Sequence, residues 1–157
     1  KDDGNPAAQY EKGILWVKGD NVMIGYYNNP ELTDKVKKNG WLCTGDIAFY
    51  GPYNLLCITG RSDDLIIRAG VNIYPQEIEE AMKKDRRVKE ILVYGFKSPR
   101  SEMQIGMKVS GDFKNVQEVR KLCLDILPKY EIPLKIELLD ELPKNASGKI
   151  VRRIIND

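Results

Sequence analysis

Gly60-Arg61-Ser62-Asp63-Asp64-Leu65-Ile66-Ile67-Arg68-Ala69-Gly70-Val71-Asn72-Ile73-Tyr74-Pro75-Gln76-Glu77-Ile78-Glu79 is the stretch on which the fold turns. A glycine and a run of polar residues give way to a short apolar run, Leu65-Ile66-Ile67, so one residue pattern ends here and another begins. The run reads as a short buried strand, Gly70 as a turn, and Pro75 as the opening of a helix, because proline suits the first helical position, where no N–H is needed. From Gln76 to Lys84, Ile78, Ala81 and Met82 share one face. Glu77, Glu79 and Glu80 crowd the first turns, where the helix dipole favours anions.

Upstream of this stretch the signals are those of β-structure. Gly13-Ile14-Leu15-Trp16-Val17-Lys18-Gly19 is rich in strand formers and bounded by glycines. Asn28-Asn29-Pro30 marks a turn, Leu32 to Lys38 makes one short helix, and Leu55 to Thr59 reads as a second strand. Downstream, Val88 to Phe96 and Ile105 to Ser110 read as strands separated by a polar loop containing Ser98-Pro99-Arg100-Ser101. Val116, Val119, Leu122, Cys123, Ile126 and Leu127 trace one face of a helix that Pro128 ends. Leu134 to Leu139 gives another strand, followed by a loop from Leu142 to Gly148 and a short terminal helix. The expected fold is α+β: a small β-rich N-terminal segment, residues 1–62, joined to a compact α+β unit, residues 63–157, of about three strands and two or three helices.

Composition narrows the chemistry. The 157 residues carry 25 basic and 23 acidic side chains, a net charge of +2, with both signs interspersed, so no global field draws nucleic acid or an anionic membrane. Histidine is absent, which removes imidazole bases, Ser-His-Asp and Cys-His nucleophile systems and the commonest metal ligand. Chemistry here rests on Lys, Arg, Asp or Glu. Cys43, Cys57 and Cys123 have no CxxC spacing and read as small buried hydrophobes in a reducing compartment. No apolar run approaches the ~18 residues of a membrane span, and no signal-peptide pattern opens the chain, so a soluble, cytoplasmic protein is expected. The first residue is Lys1, within polar loop-like sequence, and the chain reads as a piece of a longer polypeptide.

Three stretches could carry chemistry. In Leu42-Cys43-Thr44-Gly45-Asp46 a carboxylate follows a glycine turn and can offer two acceptor oxygens to a diol, although such a tripeptide is more often a plain turn. Around Arg61, a planar guanidinium at a strand end can meet phosphate or hydroxyl pairs, and Gly70 lets a ligand approach the backbone; a boundary loop with a salt-bridged arginine accounts for the same residues equally well. Glu141-Leu142-Pro143-Lys144-Asn145-Ala146-Ser147-Gly148-Lys149-Ile150-Val151-Arg152-Arg153 is not a phosphate-binding P-loop, since Pro143 replaces the leading glycine and Ile150 follows the lysine. Its lysine can deliver a point charge to an anionic centre. The alternative is a solvated basic tail, in which Lys144, Lys149, Arg152 and Arg153 lack a local acid; without interleaved aromatics such a tail is a poor match for nucleic acid.

Taken in order, these stretches resemble the adenylate-forming superfamily of acyl-CoA synthetases, luciferases and peptide-synthetase adenylation domains. The similarity runs from about Gly13 to Arg153 and includes Gly25-Tyr26-Tyr27-Asn28-Asn29-Pro30-Glu31-Leu32-Thr33, which has no evident chemistry of its own. The resemblance implies that residues 1–62 are the β-rich end of a large AMP-binding domain and residues 63–157 a mobile C-terminal lid. It implies that Asp46 binds the ribose hydroxyls, Arg61 the ribose and phosphate region, and Lys149 the reacting centre during adenylation. Asp63 becomes the hinge, Gly70 lines the pantetheine tunnel and Asn72 lies nearby. The substrates implied are ATP, a small carboxylic acid and CoA. No metal ligand falls on this chain, and magnesium is expected through the N-terminal part, which the resemblance makes the lid's partner. Ile14, Gly51 to Asn54 and Lys97-Ser98 depart from the family pattern without touching the site. Asn72-Ile73-Tyr74-Pro75 and Pro143 to Lys149 look more like CoA ligases of fatty or aryl acids than peptide-synthetase domains. A catalytically silent module that docks carrier proteins would instead have lost Lys149 or Arg61. The chain alone is expected to be inactive, because the phosphate loop and the adenine-stacking segment lie upstream in the family.

Overall fold

The computed structural model describes residues 5–99 and 101–151. The fold is α+β, and the chain divides between Asp63 and Asp64 into two compact units. In the first unit, β3 (Trp41–Tyr50) pairs antiparallel with β1 (Gly13–Val17), β2 (Lys37–Lys38) and β4 (Leu56–Arg61). Helix α1 (Pro30–Val36) begins where Asn29 caps it, its side chain accepting from the Leu32 N–H at 3.0 Å, with Pro30 in the first turn. The helix therefore starts and ends two residues earlier than the apolar pattern predicts.

The largest difference from the sequence expectation in this unit is β3 itself. Thr44-Gly45-Asp46 is not a turn between elements but an irregularity inside a ten-residue strand. The β1 ladder steps from Ile14↔Ile47 to Trp16↔Cys43, so Thr44, Gly45 and Asp46 stand opposite the single residue Leu15. Gly45 adopts φ +75°, which a side-chain-bearing residue enters only at a cost. Buried apolar residues in this unit are few: among the described residues, Ile47 and Ala48 are buried, whereas Ile24, Tyr27 and Tyr53 are more than 90% exposed.

The second unit owns both hydrophobic clusters of the described chain. Strands β7 (Val88–Lys97), β8 (Met103–Gly111) and β9 (Lys135–Leu138) form a sheet with β8 in the centre, antiparallel to β7 and parallel to β9. The parallel step is made through α3 (Val116–Ile126), whose Asn115 cap accepts from the Glu118 N–H. Ile91 and Val93 of β7, with Ile105, Met107 and Val109 of β8, pack against Ile78 and Met82 of α2 (Pro75–Met82) and against Val119, Leu122 and Cys123 of α3. Ile66 and Ile73 join this cluster from a small hairpin, β5 (Ile66–Arg68) and β6 (Val71–Ile73), closed by Ala69 and Gly70 at positive φ.

Glu79 is not a solvated dipole partner as the helix pattern implies. It is buried, and its carboxylate accepts the Val93 N–H at 2.8 Å. Of the three cysteines only Cys123 is buried; Cys43 and Cys57 are half-buried, and all three are free thiols. Burial pushes the Cys123 thiol up to about 11, so it behaves as a small apolar side chain. The terminal helix expected after Gly148 lies outside the described residues beyond Val151. No helix among the described residues is long and apolar enough to cross a membrane.

The opposite face of the three-stranded sheet is also covered. Leu92 and Tyr94 of β7 are buried with Leu142, and Phe96 and Ile150 pack beside them. The Tyr94 ring lies across Gly106 of the neighbouring strand, so closely that an added Cβ there would sit 2.4 Å from the ring Cζ. Gly106→Ala should therefore destabilise the protein by about 1–3 kcal/mol through overpacking. Urea denaturation measures this, and an unchanged midpoint would mean that the ring swings aside freely.

Candidate active site

Asp46 and Arg61, fifteen residues apart in sequence, are direct cross-strand partners on β3 and β4. The Arg61 Nη1 donates to Asp46 Oδ1 at 3.3 Å, with the guanidinium about half exposed. A shift of the β3–β4 ladder between Ile47↔Gly60 and Ala48↔Ile58 sets this register, and Thr44 holds the Asp46 backbone: its hydroxyl donates to the Leu15 carbonyl at 3.1 Å and accepts the Asp46 N–H at 3.0 Å. Gly45 completes it, since a Cβ there would meet the Arg61 Nη2 at 3.1 Å. An ionised carboxylate has about four lone-pair sites, so one bond to Arg61 leaves Asp46 able to accept a vicinal diol. Arg61 likewise keeps N–H groups for a phosphate or hydroxyl. The same pair is a plain salt bridge when nothing is bound, which is why the sequence alone left both readings open.

In the second unit, Gly70 sits at the exposed tip of the β5–β6 hairpin, with no atom within 4 Å of where its Cβ would stand. Asn72 is exposed on β6 opposite Ile67. Asp63 is exposed in the short 3-10 turn Ser62–Asp64, at the division between the units.

Lys149 is presented by a tight loop organised around Asn145. The Asn145 side chain accepts the Ser147 N–H at 3.0 Å and the Lys149 N–H at 2.9 Å, while its own N–H donates to the Lys149 carbonyl at 2.9 Å. Lys144 and Ile150 close the loop as a bridge, and the Val151 N–H donates to the Pro143 carbonyl at 3.0 Å. Lys149 is exposed and makes no salt bridge among the described residues. Lys144 differs. Its ammonium pairs with Glu90 at 2.5 Å and Glu141 at 3.0 Å, so the expectation that this lysine lacks a local acid is wrong; Glu90 arrives from a strand more than fifty residues earlier. Arg152 and Arg153, named in the same expectation, lie outside the described residues.

The hairpin and the lysine loop bear on opposite faces of one sheet. Ile66 and Ile73 pack with Ile91 and Val93, whereas Leu142 and Ile150 pack with Leu92, Tyr94 and Phe96, and alternate residues of a strand point to opposite sides. Glu90 shares the face of Leu92, Tyr94 and Phe96 by strand alternation, and the step of the ladder from Val88↔Gly111 to Glu90↔Ser110 turns Val88 to the other face. Sequence reasoning missed Glu90 and Lys144 as partners; the one local hint was Leu142, an apolar residue in an otherwise polar loop. Among the described residues no group of three or more His, Cys, Asp or Glu is placed to hold a metal ion, so these residues offer no cage of their own for magnesium.

Residues 77–149 match the family described as the AMP-binding enzyme C-terminal domain. A long-chain-fatty-acid–CoA ligase of Haemophilus influenzae is 42% identical over 159 residues, covering 100% of this chain and 28% of that protein. The solved o-succinylbenzoate coenzyme A synthetase of Bacillus subtilis, in complex with ATP and magnesium ion, is 35% identical with a TM-score of 0.87, over 99% of this chain and 32% of that one. An amide bond synthetase of Marinactinospora thermotolerans is 27% identical with a TM-score of 0.86, over 97% of this chain and 31% of that one. Residues 77–149 thus belong to the AMP-binding enzyme C-terminal domain family, and the chain, similar along its length to acyl-CoA ligases, spans about a third or less of the length of these relatives.

The Glu90 carboxylate is held below its ordinary range, first by the Lys144 ammonium and then by the Leu142 N–H, which donates to it at 3.1 Å. A lowered carboxylate stabilises the fold fully above the ordinary value and loses that contribution as pH falls through the lowered one. The Leu142 amide shift should therefore titrate with a midpoint below the ordinary glutamate value of 4.5. An NMR titration with a midpoint at or above 4.5 would contradict the pairing.

Proposed function

We propose that this chain is the C-terminal portion of an ATP-dependent, AMP-forming acyl-CoA ligase acting in the cytoplasm. In this reading residues 1–62 complete a large nucleotide-binding domain supplied by the preceding polypeptide, and residues 63–157 are the lid that works over it. The observation that carries the reading is the contrast between two lysines of one loop: Lys144 is consumed by two carboxylates while Lys149 is displayed without one among the described residues, on a loop pinned at both ends. The wide apolar exposure of the first unit, at Ile24, Tyr27 and Tyr53 among others, supports a larger domain around it, because surface of that kind is ordinarily covered.

The reaction begins when a carboxylate oxygen of the acid attacks the α-phosphorus of ATP, forming an O–P bond as the bond to pyrophosphate breaks. Asp46 accepts the ribose hydroxyls and Arg61 contacts the ribose and phosphate region, which fixes the nucleotide. Carboxylate and polyphosphate repel, and the Lys149 ammonium between them offsets that repulsion. A unit-charge pair at ~4 Å is worth roughly 4 kcal/mol at an effective dielectric of ~20, and about 1.4 kcal/mol changes a rate tenfold. Magnesium, when bound, supplies further neutralisation of the phosphates, through ligands that this reading places in the preceding polypeptide.

In the second step the CoA thiol attacks the acyl carbon, losing its proton as the bond to AMP breaks. A slender pantetheine arm needs open backbone, which Gly70 and its neighbour Asn72 offer at the hairpin tip. Because the hairpin and the lysine loop sit on opposite faces of one sheet, a rotation of the lid about Asp63 that brings one to a fixed centre removes the other. The retention of Lys149, Asp46 and Arg61 argues against a silent docking module. The acid is fatty or aryl in class, and the isolated chain is inactive in this reading.

In the full-length enzyme, Lys149→Ala should lower ATP–pyrophosphate exchange by roughly 10²–10³-fold, the span that one charge of this size commands. Thioester formation from supplied acyl adenylate should persist; equal loss of both half-reactions would refute the division of labour. Asp63→Pro should hold the lid in one pose, so that stopped-flow assays of the two half-reactions find one retained and the other lost. Two unaffected half-reactions would remove Asp63 as the pivot.

A further inference from the structure

We propose that Glu90 is a positioning residue for adenylation: through Lys144 and the Leu142 N–H it fixes the base of the loop that presents Lys149. The inference rests on the assignment of Lys149 made above and adds what aims it.

The two contacts of Glu90 flank Pro143. Its Oε2 accepts the Leu142 N–H at 3.1 Å and its Oε1 meets the Lys144 ammonium at 2.5 Å. Proline fixes φ and offers no N–H, so the three residues 142–144 form a stiff strut with a carboxylate gripping both ends. The Pro143 carbonyl then accepts the Val151 N–H, which ties the far end of the loop to the same strut. Beneath it, Leu142 is buried against Leu92 and Tyr94, which alternate with Glu90 on β7. The base of the loop is thus bound to the sheet by charge and by apolar contact, while the segment carrying Lys149 is held by hydrogen bonds of the Asn145 side chain and backbone. Glu141 also pairs with Lys144 but is mostly exposed and belongs to the loop itself, so it cannot tie the loop to the sheet.

Removing the grip leaves Lys149 chemically intact and its loop free to shift. A displacement of about 1 Å at a reacting centre can cost on the order of 10²-fold in rate. A role confined to stability would lower both half-reactions together, whereas a positioning role lowers only the one that uses Lys149. Glu90→Gln keeps an acceptor for the Leu142 N–H and loses the charge, Lys144→Met keeps the stem and loses the ammonium, and Lys144→Arg preserves the pair.

The test uses the full-length enzyme, measuring ATP–pyrophosphate exchange and thioester formation from supplied acyl adenylate, with Lys149→Ala run in parallel. Glu90→Gln and Lys144→Met should each reduce kcat for exchange about 10–100-fold while thioester formation stays within about twofold. The double variant should be no worse than the worse single one, since both remove one interaction, and Lys144→Arg should recover most of the rate. Exchange within about twofold of the parent in either single variant, or parallel loss of both half-reactions, would overturn the proposal. A crippled Lys149→Ala beside an unaffected Glu90→Gln condemns the anchor alone, whereas an unaffected Lys149→Ala condemns the assignment of the lysine on which it rests.

Discussion

A three-stranded sheet has two faces, and the sheet β7-β8-β9 buries apolar side chains on both. One face packs against α2, α3 and the β5–β6 hairpin; the other is covered by the chain's own later loop, with Leu142 and Ile150 over Leu92, Tyr94 and Phe96. The placement of Lys149 depends on that second packing. A polar loop at the end of a domain would ordinarily fray, but here apolar side chains and the Glu90 carboxylate hold its base to a strand. The lysine gains a defined direction without giving up its exposure, and burial in a salt bridge would have neutralised the charge that the loop carries.

The first unit follows a different logic. Strands β1, β3 and β4 pair in one sheet with a register shift in each ladder, yet the unit owns neither hydrophobic cluster of the described residues and leaves large side chains open. Backbone pairing alone gives little net stability per bond, which fits the larger domain proposed around this sheet. Within it the local geometry is nonetheless specific. A register shift in the β3–β4 ladder between Ile47↔Gly60 and Ala48↔Ile58 brings Asp46 opposite Arg61, and Gly45 at positive φ leaves room beside the guanidinium.

Much of the second unit was legible from residue patterns. Pro75 opening α2, the apolar face from Val116 to Leu127 and its stop at Pro128, and the strands around Val88–Phe96 and Ile105–Ser110 all carry strong local periodicity, and local periodicity is what a single sequence displays. Other features were hidden for physical reasons. Thr44-Gly45-Asp46 looked like a turn because a glycine inside a strand gives the same signal as one between elements. Glu79 matched the dipole rule for a helix start, but its partner is the Val93 N–H, fourteen residues away on another element. Lys144 looked unpaired although Glu141 lies three residues before it, and its second acid, Glu90, is distant in sequence and meets it only because β7 turns Glu90 to the face of Leu92 and Tyr94. Asp46 and Arg61 were each named from the sequence, but only the strand register shows that they meet.

The account stands or falls on whether Lys149 enters the nucleotide centre while Lys144 stays in its structural pair. Amine-acylation footprinting by mass spectrometry of the full-length enzyme, with and without ATP and a non-reacting analogue of the acid, measures this at both lysines at once. The account predicts that ligand strongly protects Lys149 and leaves the reactivity of Lys144 unchanged. Equal reactivity of Lys149 in the two conditions, or protection of Lys144 instead, would contradict it.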